Sequence, residues 1–264
     1  MAQLKAKNNY IGIFSLLLLC LFVYSFISCG IEEVFYLNPP TISYNTPTYD
    51  TTDYTAKYVA FRTEENQDDG GAYTFDGTAV YYKIYSNYST MVTRNSAIES
   101  VNTTSNSSSA ATKVIDTYGY KPLGSLSASG KSLGSPLISD EGENRSVYIR
   151  LSTYGDYASF TANEFSPKIL IGTNSNSEET PEYIPMRNGN AKSFDFGRSS
   201  SEGFDTSVAA VPTSDDDDVV YSSSSGTWYV DMYAIGVGHD SSFTQYYSLV
   251  LHLGAIPIVQ GESN

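Results

Sequence analysis

The chain has 264 residues with 29 acidic against 15 basic side chains, a formal charge of -14. That balance excludes a nucleic-acid partner, because a phosphate-backbone binder needs a cationic face. A content of 41% hydrophobic and 14% aromatic residues with 17% charged ones excludes a disordered chain and supplies core material for one large domain or two ordinary ones.

Lys5 and Lys7 precede an uncharged run over residues 11–27, and the chain then reaches Phe26-Ile27-Ser28-Cys29-Gly30. This is the order of a secretory leader: a positive start, an apolar middle and a small-residue processing site. As a helix the apolar run rises about 25 Å, short of the roughly 30 Å hydrocarbon core of a bilayer. A small residue directly before Cys29 and an aliphatic one two before it resemble a bacterial lipobox. Phe26 at its outermost position is similar to the relaxed form seen in spirochaete lipoproteins. The resemblance implies removal of a signal peptide over residues 1–28 and acylation of Cys29. Cys20 leaves with the leader, so Cys29 is the single cysteine of the expected mature chain, and no intramolecular disulfide can form. The mature chain then carries 13 basic against 29 acidic residues, or -16. Lipid holds it to the membrane while its charge repels an anionic surface.

Residues 29–41 read as a lipidated N-terminus and short tether stiffened by Pro39-Pro40, with a first strand over Val34-Phe35-Tyr36-Leu37 as the alternative. From there to residue 258 the recurring pattern is alternation in short windows rich in Tyr, Val, Ile and Thr, which predicts strands. The windows are Tyr58 to Arg62, Thr78 to Ser86, Ser146 to Thr153, Lys168 to Gly172, Thr227 to Val237 and Tyr246 to Leu253. In Thr227 to Val237, Trp228, Val230, Met232 and Ala234 share a predicted buried face, and Tyr229, Asp231 and Tyr233 a predicted wet one. Val80, Tyr82 and Ile84 likewise oppose Tyr81, Lys83 and Tyr85. One helix is predicted over Ser89 to Asn102, capped by Ser89 or Thr90, with Met91, Ile98 and Val101 inward. Thr103 to Ala111, Gly124 to Pro136, Ser175 to Pro181 and Ser199 to Gly226 are polar tracts that read as loops. Residues 259–264 read as a tail.

The segments around Phe75 to Tyr85, Thr227 to Val237 and Ser241 to Leu253 resemble the third, sixth and seventh strands of a fibronectin type III sandwich. The resemblance implies an all-β fold: an antiparallel β-sandwich of fibronectin III or immunoglobulin type with at most one or two short helices. A module of that kind has about 100 residues, whereas about 140 separate Tyr85 from Trp228. We therefore expect one enlarged sandwich over residues 42–258 with an insertion at about 87–226, in preference to two sandwiches, because no third-strand motif repeats.

The motifs that carry chemistry are each weak. Gly130-Lys131-Ser132-Leu133-Gly134 matches the nucleophile-elbow pattern, but a Ser/Gly tract precedes it and Pro136 follows it, where the elbow needs a strand and a helix. Gly124 to Ser132 has its glycines wrongly spaced for a phosphate loop. His239 adjoins Asp240, yet neighbours in an extended chain point to opposite sides, and His252 reads as a partly exposed strand residue. Asp215 to Asp218 reads as a solvated acidic loop, its contiguous acids unlike a spaced calcium loop. Asp68-Asp69-Gly70-Gly71 reads as a turn. The 23 tyrosines suit either a binding face or the outer face of a sheet, and their spread along the chain favours the second. Sequons begin at Asn87, Asn102, Asn106 and Asn144 and matter only in a eukaryotic secretory route.

The expectation is a non-enzymatic, exported lipoprotein of the bacterial envelope, at the outer membrane or cell surface, anchored through Cys29. Its expected role is surface binding or adhesion toward a protein or glycan ligand, with no cofactor and no metal. The alternatives are a structural envelope lipoprotein without a specific ligand and an unrecognised hydrolase.

Overall fold

The computed structural model describes residues 36–260 apart from 66, 68–72, 128, 153–166, 173–182, 188, 190–191, 197–210 and 223–225. The leader over 1–28, Cys29, the turn at Asp68 to Gly71 and the tract at Ser175 to Pro181 lie outside the described residues.

Each of the six alternating windows forms a strand. They are β2 (Val59–Arg62), β3 (Tyr73–Tyr85), β7 (Ser146–Arg150), β8 (Lys168–Gly172), β11 (Thr227–Asp240) and β12 (Gln245–Val259). The last two run past their expected ends because their hairpin pairs from Thr227↔Val259 to His239↔Gln245. Shorter strands are β1 (Thr41–Asn45), β4 (Lys121–Pro122), β5 (Gly124–Ser127), β6 (Ile138–Ser139), β9 (Tyr183–Met186) and β10 (Val219–Val220). One sheet has the order β1-β2-β7-β8-β9-β5 and the other β10-β3-β11-β12. All pairings are antiparallel except the two-residue β10, which runs parallel to β3. β4 and β6 also pair with β3, so three short strands take turns along the edge opposite β11. Gly77 permits the β6 contact. Its φ is 137°, and a Cβ there would lie 2.1 Å from the Ile138 carbonyl oxygen.

The sheets bury a shared apolar core. Val80, Ile84, Val230, Met232 and Ile256 from one meet Val59, Phe61, Val147, Ile149 and Ile169 from the other, with Phe194, Phe196 and Trp228 alongside. Each such side chain contributes about 1.5–3 kcal/mol when fully buried.

The second face of β3, β11 and β12 is not wet. Asp231 and Tyr233 are both 0% exposed. They are covered by two helices, α1 (Tyr88–Glu99) and α2 (Ser107–Thr112), the latter continued by a π-helical turn over Lys113–Thr117. Tyr85, Tyr233, Ile235 and Val250 pack there against Met91, Ile98, Ala110, Ala111 and Val114. α1 is the expected helix, but its cap is Asn87, whose side chain accepts from the Thr90 amide at 3.0 Å. The serine-rich tracts at 103–111 and 124–136, expected as loops, contain α2 and β5. Small residues suit α2 because its inner side lies close to the sheet: Ala110, Ala111 and Val114 are 0% exposed. Tertiary packing thus overrides a composition that reads as loop.

β12 serves both cores by changing phase. Tyr233 pairs with His252 while Met232 pairs with Gly254, so Leu253 is extra, and Gly254 takes a φ of 96°. Before this bulge the even-numbered residue Val250 faces the helices. After it, Ile256 and Ile258 face the other sheet. Residues 36–264 form one unit. Leu37, expected within the tether, is 1% exposed, and the Asn38 amide donates to Gln67 Oε1 at 2.9 Å. Leu37 and Asn38 are thus packed against the body ahead of Pro39-Pro40.

Candidate functional site

The short strands along the outer edge of β3 leave hollows between them. β6 pairs at Gly77 and Thr78, β4 pairs at Tyr81 and Tyr82, and between them the Leu123 amide donates to the Val80 carbonyl at 2.8 Å. Outside this edge lies a groove of about 620 Å³ whose walls include Ala79, Tyr81, Leu123, Leu133 and Leu137. That volume falls within the range of small-ligand pockets. Lys121 and Asp217 form an exposed ion pair at the groove, Nζ to Oδ2 2.7 Å. Burial pushes the Tyr81 hydroxyl up to about 12. The Gly130 to Gly134 segment supplies Leu133 and Gly134 to the wall. It follows β5, but no helix succeeds it, and the Leu133 amide is tied to Ser125 Oγ at 2.7 Å. It is a wall, without the strand-turn-helix context of a nucleophile elbow.

A second hollow of about 450 Å³ shares Ala79, Tyr81 and Ser135 with the first and reaches Asp76 and Gln245. His239 stands at this end of the sheet. As expected, Asp240 does not orient it, because that carboxylate accepts the Ser242 and Thr244 amides at 2.8 and 2.9 Å. The acid on His239 is instead Asp76 of β3, with Nδ1 to Oδ1 at 2.9 Å. The pairing of β3 with β11 brings Asp76 there, a partner 163 positions away that no local motif signals.

His252 belongs to a more deeply buried constellation. Its Nε2 lies 2.7 Å from Oδ1 of Asp231, which also accepts from Asn95 Nδ2 at 3.0 Å. Tyr120 donates to Oδ2 at 2.5 Å and accepts from the Tyr85 hydroxyl at 3.1 Å. Tyr233 lies against the His252 ring with centroids 4.7 Å apart. Burial pulls the imidazole pKa down, but the Asp231 carboxylate outweighs it and holds His252 above its ordinary value. Burial, with Asp231 next in weight, pushes Tyr85 up to about 12 and Tyr120 well above its ordinary value. Asp231, read as wet in the sequence, ties β11, β12 and α1 together. Only the rule that a buried acid must be paired could have marked it, and its burial is invisible without the helical layer.

The acidic run is likewise not a solvated loop throughout. Asp218 is 0% exposed and receives Arg187 through Nε at 2.8 Å and Nη2 at 2.7 Å, plus the Tyr82 hydroxyl at 2.7 Å. Asp216 accepts Arg187 Nη2 and the Thr213 amide, each at 3.0 Å, and pairs with Lys192. Burial works against ionisation of Asp216, but the Lys192 ammonium and Thr213 amide hold its carboxyl below the usual range. Every oxygen of these two carboxylates already has a cationic, amide or hydroxyl partner, which is a clamp and not a vacant cation cradle. Among the described residues no group of three His, Cys, Asp or Glu side chains is arranged to hold a metal ion, and no helix is long and apolar enough to cross a membrane.

Three of the sequon asparagines have internal tasks. Asn87 caps α1, Asn102 exchanges two hydrogen bonds with the Val250 backbone at 2.9 and 3.0 Å, and Asn144 accepts from the Glu65 amide at 2.7 Å. Comparison with protein families, curated proteins and solved structures finds no match to this chain.

Proposed function

We propose that the chain is an exported bacterial lipoprotein, acylated at Cys29, whose sandwich holds a protein or glycan ligand by contact in the groove beside β3. The order Lys5, Lys7, apolar run, Ser28-Cys29-Gly30 supports the anchor. The observation that carries the binding role is the groove itself: apolar walls from Leu123, Leu133 and Leu137, with Lys121 and Asp217 able to orient a polar group. The placement is the bacterial envelope, at the outer membrane or cell surface.

Strand order supports a fibronectin III or immunoglobulin architecture for the body. β3-β11-β12 follow the C-F-G order of such sandwiches, and β1-β2-β7 the A-B-E order, with β8, β9 and β5 extending the second sheet. The test is capture of envelope or host partners by the purified protein and by a Leu133→Glu variant. Partner loss in the variant supports the groove; equal capture by both removes it. Intact mass of the protein from its native membrane reports cleavage and acylation together.

A hydrolase is the second reading, favoured by the Asp231–His252 pair. It ranks lower because Asp231 is shared with Asn95 and Tyr120, which join structural layers. Turnover of ester, peptide or glycoside substrates that disappears in His252→Gln would promote it.

A further inference from the structure

The hairpin joining β11 to β12 ends in Asp240-Ser241-Ser242-Phe243-Thr244. Phe243 is 82% exposed, far above the 46% of Ile42, and it has a φ of 61°. A bulky residue rarely adopts this left-handed conformation, which Gly or Asn would take at lower cost in a hairpin loop. The Phe243 ring lies on that of His239, centroids 5.3 Å apart and planes 9° from parallel. The turn therefore sets a large apolar ring in the open, one face on His239, at a position where turn geometry alone favours a smaller residue.

The first described residues, Tyr36 and Leu37, lie at the same end of the sheet. Asp240 pairs with Tyr73, the first residue of β3. The Tyr73 hydroxyl donates to the Tyr36 carbonyl at 3.4 Å. Leu37 reaches within 3.4 Å of where a Cβ on Gly238 would stand. Six residues lie between Cys29 and Tyr36, so seven Cα steps give a reach of at most about 25 Å. β3 itself is 13 residues long, and its other end lies about 40 Å away. A bilayer holding acyl chains on Cys29 is thus within reach of the hairpin end in every orientation. The far end, beyond the tether's own reach, meets it only when the body lies flat or tips that end toward the bilayer.

We infer that the β11–β12 hairpin tip is a bilayer contact, with Phe243 entering the interfacial region of the membrane that holds the Cys29 lipid. The inference rests on the anchor proposed above. An aromatic ring suits the interface, where its body leaves water while the adjoining backbone stays hydrated. Among residues 240–244 the one charge is Asp240, negative and facing two backbone amides, so the matching surface is zwitterionic and not anionic.

The test uses the acylated full chain, purified from its own membrane and reconstituted in phosphatidylcholine vesicles with brominated acyl chains. Trp228 is 2% exposed and its ring lies 6.1 Å from that of Tyr221, so both reporters are placed in a Trp228→Phe parent. Phe243→Trp adds a reporter at the tip. Tyr221→Trp adds one beyond β10, which pairs at Ile84 and Tyr85, the far end of β3. The expected result is loss of most of the added emission for Phe243→Trp and none for Tyr221→Trp. An unquenched Phe243→Trp, or equal quenching of both, overturns the hairpin contact while an acylated mass leaves the anchor standing. A mass without acyl chains removes the anchor, and the contact with it.

Discussion

The two faces of the β3-β11-β12 layer are built from alternate residues of the same strands, yet they are held by different forces. Toward the other sheet stand Val80, Ile84, Val230 and Met232, and the contact is mainly one of shape. Toward the helices stand Tyr85, Asp231, Tyr233 and His252, and the contact is threaded by hydrogen bonds from Asn95 and Tyr120. An apolar face tolerates a missing methyl in proportion to the cavity left. A buried polar face fails in larger steps, because removing one partner strands the others without water.

Breaking the polar face has the largest expected effect. Asp231→Ala strips His252, Asn95 and Tyr120 of their common acceptor and should cost about 3–5 kcal/mol in urea unfolding. On the apolar face, Ile84→Val removes one methylene from a fully buried site and should cost about 0.5–1.5 kcal/mol with an unchanged denaturant slope. If Asp231→Ala costs less than Ile84→Val, the contrast between the faces is wrong. The smallest effect is one of pH. The folded state holds the His252 pKa above its unfolded value, so its contribution is fully present below about pH 6.5 and fades as pH rises through the folded value. His252→Gln should flatten that slope in melting temperature against pH, and the slope should be insensitive to Ile84→Val.

Legibility in the sequence follows how local each interaction is. The alternation of Val80, Tyr82 and Ile84, or of Trp228, Val230 and Met232, is written in the chain at a spacing of two and survives into the structure as one face. Met91 and Ile98 mark α1 in the same way. What covers Asp231 is not local. A tract of Ser, Asn and Thr reads as loop, yet packed on β12 it becomes α2, because small side chains let a helix lie close. The four acids at 215–218 look alike in sequence and have different fates: Asp218 is enclosed by Arg187 and Tyr82, while the Asp217 side chain stays 67% exposed and pairs with Lys121 at the surface. The groove was illegible for the same reason, since its walls come from β3, β5 and the 131–137 segment together.

Of this protein, local spacing in the chain determines which stretches become strands, which side chains share a face, and the order of residues around Cys29 that resembles a lipobox. The assignment of partners belongs to the tertiary structure: Asp76 to His239, Asp218 to Arg187, a helical layer to the tyrosine face, and Tyr36 to the same end of the sheet as Phe243. The physical reason is separation. A period of two constrains neighbours along a strand, whereas Asp218 and Arg187, 31 residues apart, or Asp76 and His239, 163 apart, meet only once the strands have paired in register and the fold has closed.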